Sequence, residues 1–459
     1  MKKKLLVLLG AGSSVEQDFP STGELDYEVA KWAAHFVKNK APDPIDSFDK
    51  RTRTNYYDLL WKNREGYCAD LNPELKAIAE PRTKPNYERV LGDLHALMNG
   101  VLSRPYGDPI LKWIPKADVF TNLGIVPDSP ELDSHGSSKI FYAIQGQLHY
   151  LCDQIAKRIR GDSQCFELEL ANGRASNQFE PYRALFDGLA QEFDVGVYNL
   201  NYDTVALNAL PKAFVGFNRK SGQFLPTKVL ARKEWSFLYH LHGSVHHRVK
   251  VGSRESQHKD FGLKVVWHED LSQQSDGEDW EDVKDLAFGA DGKRFLPTSL
   301  IAGGWKLDQL QEEPFLTLYS SLPRHAYEAD AIIIGGYGFS DHHINSVLSH
   351  AIRSKANGPA RPPVLVLSHS TDRLPMAKRS GPWTYAMGQT LRAAPQRFRT
   401  PQHRSIDQWS ELPDSVRAGE FEQSLDVPVA VWSDGFVSSA RRLNDIVNWL
   451  GGERSALCF

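Results

Sequence analysis

The chain has 459 residues, of which 41% are hydrophobic and 24% charged, and its formal net charge is −3. This length allows one large domain or two to three ordinary ones, and the apolar fraction is sufficient for a packed core. The near-neutral charge argues against a protein that coats nucleic acid or an anionic membrane through bulk charge. Four cysteines in so long a chain exclude a disulfide framework, and their spacings exclude a zinc knuckle, so we expect a reducing, cytoplasmic location.

The first residues share only some features of a secretion signal. Three lysines precede the apolar run from Leu5 to Leu9, but a signal needs an apolar stretch of roughly 7–15 residues. The run ends at Gly10, which predicts a buried strand that leads into a glycine turn. No stretch approaches the ~20 apolar residues of a membrane span, so we expect no membrane contact.

Six short apolar runs indicate the strands of a parallel sheet, with helical periodicity between them. The runs are Leu5 to Leu9, Val195 to Leu200, Phe237 to Leu241, Ala331 to Ile334, Val364 to Leu367 and Val429 to Trp432. This alternation predicts an α/β fold, a Rossmann-like doubly wound and mostly parallel sheet. About 180 residues separate the first two runs, far more than a crossover needs. We therefore predict a discontinuous α/β domain of residues 1–24 and 181–459, interrupted by a helical insertion domain of residues 25–180.

A glycine turn, Gly10-Ala11-Gly12-Ser13-Ser14, follows the first run. It has the chemistry of a phosphate cradle, in which glycines let the backbone approach an anion and free N–H groups of the next helix bind it. A tight turn needs glycine for steric reasons alone, so this motif does not decide between a phosphate-binding loop and a purely structural turn. Val15 occupies the third glycine position of the dehydrogenase fingerprint, which disfavours an ordinary hydride-transferring enzyme.

The second and third runs lead into motifs that combine amide, carboxylate and imidazole groups. Asn201-Tyr202-Asp203 lies where open α/β sheets bind ligands, and an Asx turn that caps the next helix is the alternative. The third run leads into His240-Leu241-His242-Gly243, and alternation places His240 and His242 on one face. A zinc site is conceivable there, but one histidine acting as a general base explains the position more simply.

The fourth run, Ala331 to Ile334, is followed by Gly336-Tyr337-Gly338-Phe339-Ser340-Asp341. A tight turn whose Ser-Asp pair caps the next helix is again the purely structural alternative. Glycines or polar side chains follow four of the predicted strands. Together they favour a ligand site.

In this order the motifs resemble those of the sirtuin-like superfamily. The glycine turn with Phe19-Pro20-Ser21 is similar to the family's first NAD-binding loop, Asn201-Tyr202-Asp203 to its N-x-D motif, and His242-Gly243 to its H-G motif. The segment from Gly336 to Asp341 resembles the G-Y-S-F-S-D form of prokaryotic defence branches rather than the G-T-S form of deacetylases. The resemblance covers residues 5 to about 436, nearly the whole chain.

Two departures from sirtuin deacetylases bear on function. The chain has no cysteine between Cys165 and Cys458, whereas deacetylases carry a four-cysteine zinc ribbon that helps to form the acyl-peptide groove. It reads Asp18-Phe19-Pro20 where they carry Asp-Phe-Arg. The resemblance therefore implies an NAD hydrolase of an antiphage, abortive-infection system, with NAD as substrate and no metal. Such proteins often form homo-oligomers and work with a partner subunit such as a helicase-like ATPase or a short Argonaute.

NAD cleavage would give the motif residues distinct roles. Asn201 would orient water or hold the ribose, His242 would act as the base, and Asp203 would orient these groups or meet the nicotinamide amide. We expect Asn201 and His242 at solvent-facing strand ends. The expected NAD-binding residues are Gly10, Ala11, Gly12, Ser13, Ser14, Pro20, Gly336, Tyr337, Ser340 and Asp341. Ser368 and Asp434-Gly435-Phe436 would lie toward the adenosine.

Two other functions stay open at this point. A protein deacylase or ADP-ribosyltransferase would use the same site but needs an acceptor groove, which no sequence feature indicates. A catalytically silent nucleotide sensor or scaffold would have no need of both Asn201 and His242. The basic stretch 371–404 is either a solvated loop, which we favour, or a contact for nucleic acid or an acidic partner. The helical insertion carries no catalytic motif and is expected to be the main protein–protein surface.

Overall fold

A computed structural model describes most of the sheet-forming part of the chain and four segments of the predicted insertion. The described residues are 2–38, 87–102, 139–174, 177–250, 264–271, 287–288, 294–295, 298–303, 306–355, 361–370, 374–399 and 421–453. The rest of the predicted insertion and the two ends of the basic stretch lie outside these ranges. Within them, no helix combines the length and the apolar character needed to cross a bilayer.

Twelve strands occur in the described residues, and eight of them form one sheet. In chain order they are β1 (Lys3–Leu9), β2 (Phe193–Asn199), β3 (Phe237–His240), β4 (His247–Lys250), β5 (Lys264–Trp267), β6 (Ala287–Phe288), β7 (Arg294–Phe295), β8 (Ala331–Gly335), β9 (Val364–Leu367), β10 (Phe398–Arg399), β11 (Phe421–Ser424) and β12 (Val429–Trp432). The large sheet has the order β10-β11-β12-β9-β8-β1-β2-β3. All six predicted runs are parallel strands of this sheet, which confirms the predicted fold class.

Strand β1 lies at the centre of the sheet and is buried on both faces. Leu5, Val7 and Leu9 belong to one hydrophobic core, whereas Leu6 and Leu8 belong to the other. Successive side chains of a strand point to opposite faces, so a strand covered on both sides must be apolar throughout. Full burial of one leucine contributes on the order of 1.5–3 kcal/mol to folding, which makes this run a strong determinant of the sheet.

Helices cover both faces of the sheet. They are α1 (Thr22–Lys38), α2 (Tyr87–Leu102), α3 (Lys139–Ala171), α4 (Phe179–Glu192), α5 (Val205–Ala209), α6 (Pro226–Ala231), α7 (Lys306–Gln309), α8 (Phe315–Glu328), α9 (His342–Lys355), α10 (Pro382–Leu391) and α11 (Leu443–Leu450). One face is packed by α4 through Tyr182 and Phe186, and the other by α8 and α9 through Leu318 and Leu348. The layered α/β arrangement follows from these two apolar interfaces.

Helices α1, α2 and α3 lie between the first two strands in sequence and pack against one another. A capping box begins α1, because the Ser21 N–H donates to Glu24 Oε2 at 2.7 Å and the Glu24 N–H donates to Ser21 Oγ at 3.2 Å. The Tyr87 N–H at the start of α2 donates to Asp26 Oδ1 of α1 at 2.6 Å. The described part of the predicted insertion is therefore helical, while its boundaries as a domain stay a prediction.

The strand order places a ligand crevice at one edge of the sheet. The six parallel strands follow the order β3-β2-β1-β8-β9-β12, so the direction of winding reverses between β1 and β8. Doubly wound sheets bind ligands at such a reversal, beyond the carboxyl ends of the strands. The loops after β1 and β8 flank this point, and the loops after β2 and β3 lie beside it.

The structure differs from the sequence prediction within the basic stretch. We favoured a solvated loop over residues 371–404, but α10 occupies its centre. Met387 and Leu391 lie four residues apart on this helix and are both fully buried in the core. One apolar pair is enough to anchor so short a helix, but it gives too little periodicity to predict one.

Candidate active site

Glycine backbone forms the floor of the crevice at the point where the winding reverses. The Gly10 N–H donates to the Gly335 carbonyl at 2.9 Å, and the Gly12 N–H donates to the Gly336 carbonyl at 2.9 Å. Gly336 has a φ of +60°, and a Cβ there would lie 2.0 Å from the Ser13 nitrogen. The loops after β1 and β8 therefore pack main chain to main chain, an arrangement that we call the glycine seam.

Most N–H groups of the glycine turn itself are already used in hydrogen bonds within the protein. Four of its N–H groups already donate to carbonyl oxygens at 2.9 to 3.1 Å, those of Gly10, Gly12, Ser13 and Ser14. The chain continues in two short 3-10 helices before α1 begins. Two of these hydrogen bonds close the seam and two lie within the turn itself, so an anion bound to these groups would have to compete with them.

Asn201 lies directly against the first loop. Its Nδ2 group donates to Ser13 Oγ at 3.1 Å and to Ser14 Oγ at 2.9 Å. The side chain is 6% exposed, which corrects the expectation of a solvent-facing residue, because the first loop covers it. Asn201 Oδ1 is buried and has no hydrogen-bond partner among the described residues. A buried acceptor left open in this way suits a ligand hydroxyl or a bound water.

His242 follows β3 and is buried as well, being 4% exposed rather than solvent-facing as predicted. The turn that holds it needs glycine next, since Gly243 has a φ of +90° and a Cβ there would lie 2.0 Å from the Ser299 carbonyl oxygen. Burial lowers the pKa of His242 to about 3, with the nearby Lys306 ammonium adding to this effect and Asp341 opposing it. The imidazole is therefore neutral at physiological pH, and its buried Nε2 has no partner in the described structure.

Alternation predicts that His240 and His242 share one face, but in the structure they do not. The His240 ring lies 6.2 Å from the His247 ring and 6.3 Å from Trp267, between ring centroids. The His242 ring instead lies 6.2 Å from His343. Strand β3 ends at His240, so the alternation of a strand does not continue to His242.

A cluster of ligand-type groups surrounds His242. Donor atoms of His242, Asp341 and His343 all lie within 4.8 Å of one another, which is close enough for a metal ion. The cation beside this cluster is Lys306, whose Nζ lies 2.8 Å from Asp341 Oδ1 and 2.7 Å from Glu88 Oε1. Burial alone would raise the pKa of Asp341, but the histidines and the Lys306 ammonium outweigh it and lower that pKa. The absence of a metal stays a prediction.

Residues 195–380 match the family model described as a SIR2-like domain. The match begins within β2 and includes the N-x-D, H-G and Gly336–Asp341 motifs, but not the glycine turn. It supports the sirtuin-like resemblance at the level of the family and the fold, and SIR2-like proteins use NAD. Among curated proteins, none matches the chain significantly.

Asp203 lies within the residues that match the family model and caps a helix there. Its Oδ1 accepts the Val205 N–H at 3.0 Å, which is the Asx turn that sequence reasoning left open. Burial raises the pKa of Asp203 to about 6, against the lowering effect of hydrogen bonds from Ser14 and Val205. The carboxylate therefore ties the N-x-D segment to the first loop and caps α5, and it titrates close to neutral pH.

The loop after β8 holds its side chains in place internally. The Tyr337 hydroxyl is buried and donates to Asn345 Oδ1 at 3.0 Å, which uses a donor that we expected to face NAD. The Trp383 Nε1–H donates to the Tyr337 carbonyl at 3.0 Å. Ser340 is exposed, and Pro20 of the first loop is half-buried. The loop after β8 thus keeps Ser340 accessible and uses Tyr337 as an internal support.

The loop after β12 reaches the first loop through a residue that sequence reasoning missed. Glu16 Oε2 accepts the Val437 N–H at 2.8 Å. Gly435 has a φ of +94°, and a Cβ there would lie 2.6 Å from Glu16 Oε1. The Gly435 N–H donates to the Ser368 carbonyl at 2.9 Å, so these two residues of the predicted adenosine side do lie together.

Lys306 and Glu88 were missed for a different reason. Neither belongs to a recognisable motif, and each lies far in sequence from the strand ends that they contact. The Gly303-Gly304 pair just before Lys306 is a turn signal that marks a loop, but it does not indicate which loop or helix the lysine meets.

Proposed function

We propose that the protein hydrolyses NAD to nicotinamide and ADP-ribose. The observation that carries this proposal is a pair of buried polar atoms, Asn201 Oδ1 and His242 Nε2, without hydrogen-bond partners in the described structure. They lie on the loops after neighbouring strands, at the edge where the sheet binds ligands. The SIR2-like match supports NAD as the molecule that these atoms meet.

The reaction makes modest demands on the protein. The bond between the ribose C1′ and the nicotinamide nitrogen breaks, and its electron pair stays on nicotinamide, which leaves neutral. Water adds to C1′ and loses one proton, which gives ADP-ribose. No strong general acid is needed, because the leaving group is already cationic. The site has to stabilise an oxocarbenium-like transition state and to direct the water.

The geometry of Asn201 and His242 suits these tasks. Hydrogen bonds from Nδ2 to Ser13 and Ser14 fix the orientation of the Asn201 amide and leave Oδ1 as a buried acceptor. Neutral His242 can accept a proton from water or from a ribose hydroxyl. A pKa of about 3 makes His242 a weak base, and the neighbouring Asp341 carboxylate would stabilise the imidazolium as it forms.

The first prediction concerns catalysis by these two residues. Asn201→Ala and His242→Ala should each reduce NAD cleavage 10²–10⁴-fold, since each removes a group that acts on the reacting water or ribose. The double variant should be hardly worse than either single one, because both groups serve one transition state. Nicotinamide and ADP-ribose are measured over time by chromatography with the purified full chain.

Matched controls are Asn172→Ala, in an exposed turn just after α3, and His350→Ala, at an exposed position of α9, which remove the same functional groups. Both should leave turnover unchanged. A hydrolase that depletes NAD has to be silent at rest, so NAD is also measured in producing cells after phage challenge. Intact NAD in both assays, or near-normal turnover in both crevice variants, would contradict the proposal.

The same assay separates the alternatives. Nicotinamide release that depends on an added acylated peptide would indicate a deacylase, and ADP-ribose attached to protein would indicate a transferase. We also propose that the activity serves antiphage defence, because the Gly336–Asp341 segment resembles the defence branches of the family. Cells with the wild-type chain should then lose NAD and stop growing on infection, whereas His242→Ala cells should not.

A further inference from the structure

We propose that Lys306 is a positioning residue for His242, acting through Asp341, and that Glu88 of α2 holds Lys306 in place. This inference rests on NAD cleavage as the proposed function. It assigns a task in the reaction to a lysine outside the sequence motifs and to the first turn of a helix from the predicted insertion.

Lys306 lies at the meeting point of three elements. Its side chain is 12% exposed, and its Nζ bridges Glu88 Oε1 of α2 at 2.7 Å and Asp341 Oδ1 of the β8 loop at 2.8 Å. Burial alone would lower the pKa of Lys306, but the two carboxylates outweigh burial and raise it. The ammonium is therefore charged, and it fixes the Asp341 carboxylate within 4.8 Å of the His242 ring nitrogens.

The segment that carries Lys306 also supports the main chain of His242. Leu300 forms a β-bridge with Gly243, and the Ile301 N–H donates to the His242 carbonyl at 2.7 Å. Five residues later the same segment begins α7 with Lys306. The backbone and the side-chain environment of His242 thus depend on one short stretch of chain.

A second chain of hydrogen bonds runs from α2 to the same place. The Tyr87 hydroxyl bonds to the Tyr202 hydroxyl, which donates to the Ile301 carbonyl at 2.7 Å. Tyr87 and Glu88 are adjacent at the start of α2 and reach His242 by these separate routes. Because both routes begin in one helical turn, the position of α2 sets the geometry around His242.

Removal of the lysine charge has a defined chemical consequence. Glu88 and Asp341 would face each other across a buried gap with no cation between them, so the pair would retain a proton to higher pH. A protonated Asp341 cannot stabilise an imidazolium at His242. The titratable and charged groups that face Asp341 from the elements around it are Lys306, Glu88, His242, His343, Tyr202 and Tyr337.

The test compares Lys306→Met, which keeps the length of the side chain, with Lys306→Arg, which keeps the charge. We expect Lys306→Met and Glu88→Gln to lower kcat for NAD cleavage on the order of 10- to 100-fold with little change in KM. The acid limb of the kcat profile should move to higher pH in Lys306→Met, because Asp341 stays protonated longer. Lys306→Arg should restore that limb and part of kcat.

Lys4→Met is the matched control, since Lys4 forms a 2.7 Å ion pair with Glu328 at the opposite edge of the sheet. It should change neither kcat nor the acid limb. An unchanged profile in Lys306→Met, or an equal loss at all pH values that Lys306→Arg does not rescue, would overturn the positioning role.

Hydrogen exchange separates failure of this inference from failure of the proposed function. Whether or not the protein cleaves NAD, Lys306→Met should speed amide exchange both in residues 87–102 and in residues 336–345, and Lys4→Met should not. Faster exchange in those two segments with no NAD cleavage by the wild type would refute the function alone. Unchanged exchange in either segment would refute the coupling through Lys306.

Discussion

Burial of the Asp203 carboxyl group opposes folding at neutral pH. Its pKa rises from 3.8 to about 6 in the folded protein, mainly through loss of solvent. The folded state therefore holds the proton more tightly than the unfolded chain does. This tighter proton binding stabilises the folded state. The stabilisation is fully present below about pH 4 and is lost as the pH rises through about 6.

Asp203→Asn should accordingly stabilise the protein at pH 8, by up to about 3 kcal/mol, because the amide carries no charge to desolvate. The gain should shrink toward zero near pH 4, where Asp203 is protonated in both states. Urea denaturation at pH 4, 6 and 8 measures the difference. Asp187→Asn, an exposed change on α4, should show no such pH dependence. A destabilised Asp203→Asn protein at pH 8 would contradict this account.

The positions of the site residues were partly predictable from the sequence. Asn201 and His242 follow apolar runs, and parallel strands place their ends at one edge, so their presence at the crevice could be expected. Their burial could not, because the covering segments are remote in sequence. Ser13 and Ser14 cover Asn201 from the first loop, and Lys306 approaches His242 from a stretch without a motif.

At the scale of elements, the β3–β5 region carries an unusual group of buried histidines. His240, His246 and His247 lie around Trp267, and the His246 ring stacks on it with centroids 4.6 Å apart. Burial lowers the pKa of His240 to about 3 and that of His246 to about 4, and it lowers the pKa of His247 as well. All three are neutral in the fold, whereas each would titrate near 6.5 in an unfolded chain.

This group should make the protein sensitive to mild acid. A lowered histidine pKa contributes stability that is present above about pH 6.5 and is lost as the pH falls toward the folded value. We expect the urea midpoint to fall between pH 7 and 4.5, because three such histidines outweigh the opposite contribution of Asp203. His246→Gln should reduce this fall, since a glutamine amide can still donate to the His268 carbonyl, which His246 Nδ1 contacts at 2.8 Å.

The exposed His350→Gln serves as the control for that experiment and should leave the fall unchanged. An equal pH dependence in the wild type and His246→Gln would show that the His246 ring is not a source of the acid sensitivity. Midpoints at several pH values, compared between the three proteins, give the answer directly.

The strands that the sequence predicts are those buried on both faces, and those that it misses lie at the margins. Strand β11 reads Phe421-Glu422-Gln423-Ser424 and pairs only with short or edge neighbours. Such strands form because a neighbour offers them hydrogen bonds, and their own composition gives little preference. The hairpin of β4 and β5 was missed in the same way, since its histidine-bearing strand has no clear alternation.

For the whole molecule, the sequence predicts the class of sheet but not the order of its strands. The order depends on where each crossover returns, and the helical region between β1 and β2 gives no local signal for this. That region also contributes Tyr87 and Glu88 to the surroundings of His242, which its lack of motifs concealed. The role of residues 25–180 as a separate domain and as the main protein–protein surface stays a prediction.

Helix α1 offers a direct test of that surface. Tyr27 is 72% exposed and lies on the part of the chain that we predict to be the protein–protein surface. If copies of the chain associate through residues 25–180, Tyr27→Ser should shift the mass distribution toward smaller species in light scattering. Tyr385→Ser on α10, where the side chain is 69% exposed, is the matched control. Cross-links between copies that all fall within residues 181–459 would contradict the prediction.

The glycine seam limits how this site can diversify. A Cβ at Gly10 would lie 2.8 Å from the Gly336 carbonyl oxygen, and one at Gly12 would lie 2.9 Å from the Gly336 Cα, so even alanine would force the two loops apart. Gly338, a few residues away, has room for a side chain. Natural variation can therefore reach a bound molecule through the walls of the crevice, where side chains differ in size and charge. The floor of the crevice consists of main chain, so substitutions that change the substrate would have to leave the glycine positions unchanged.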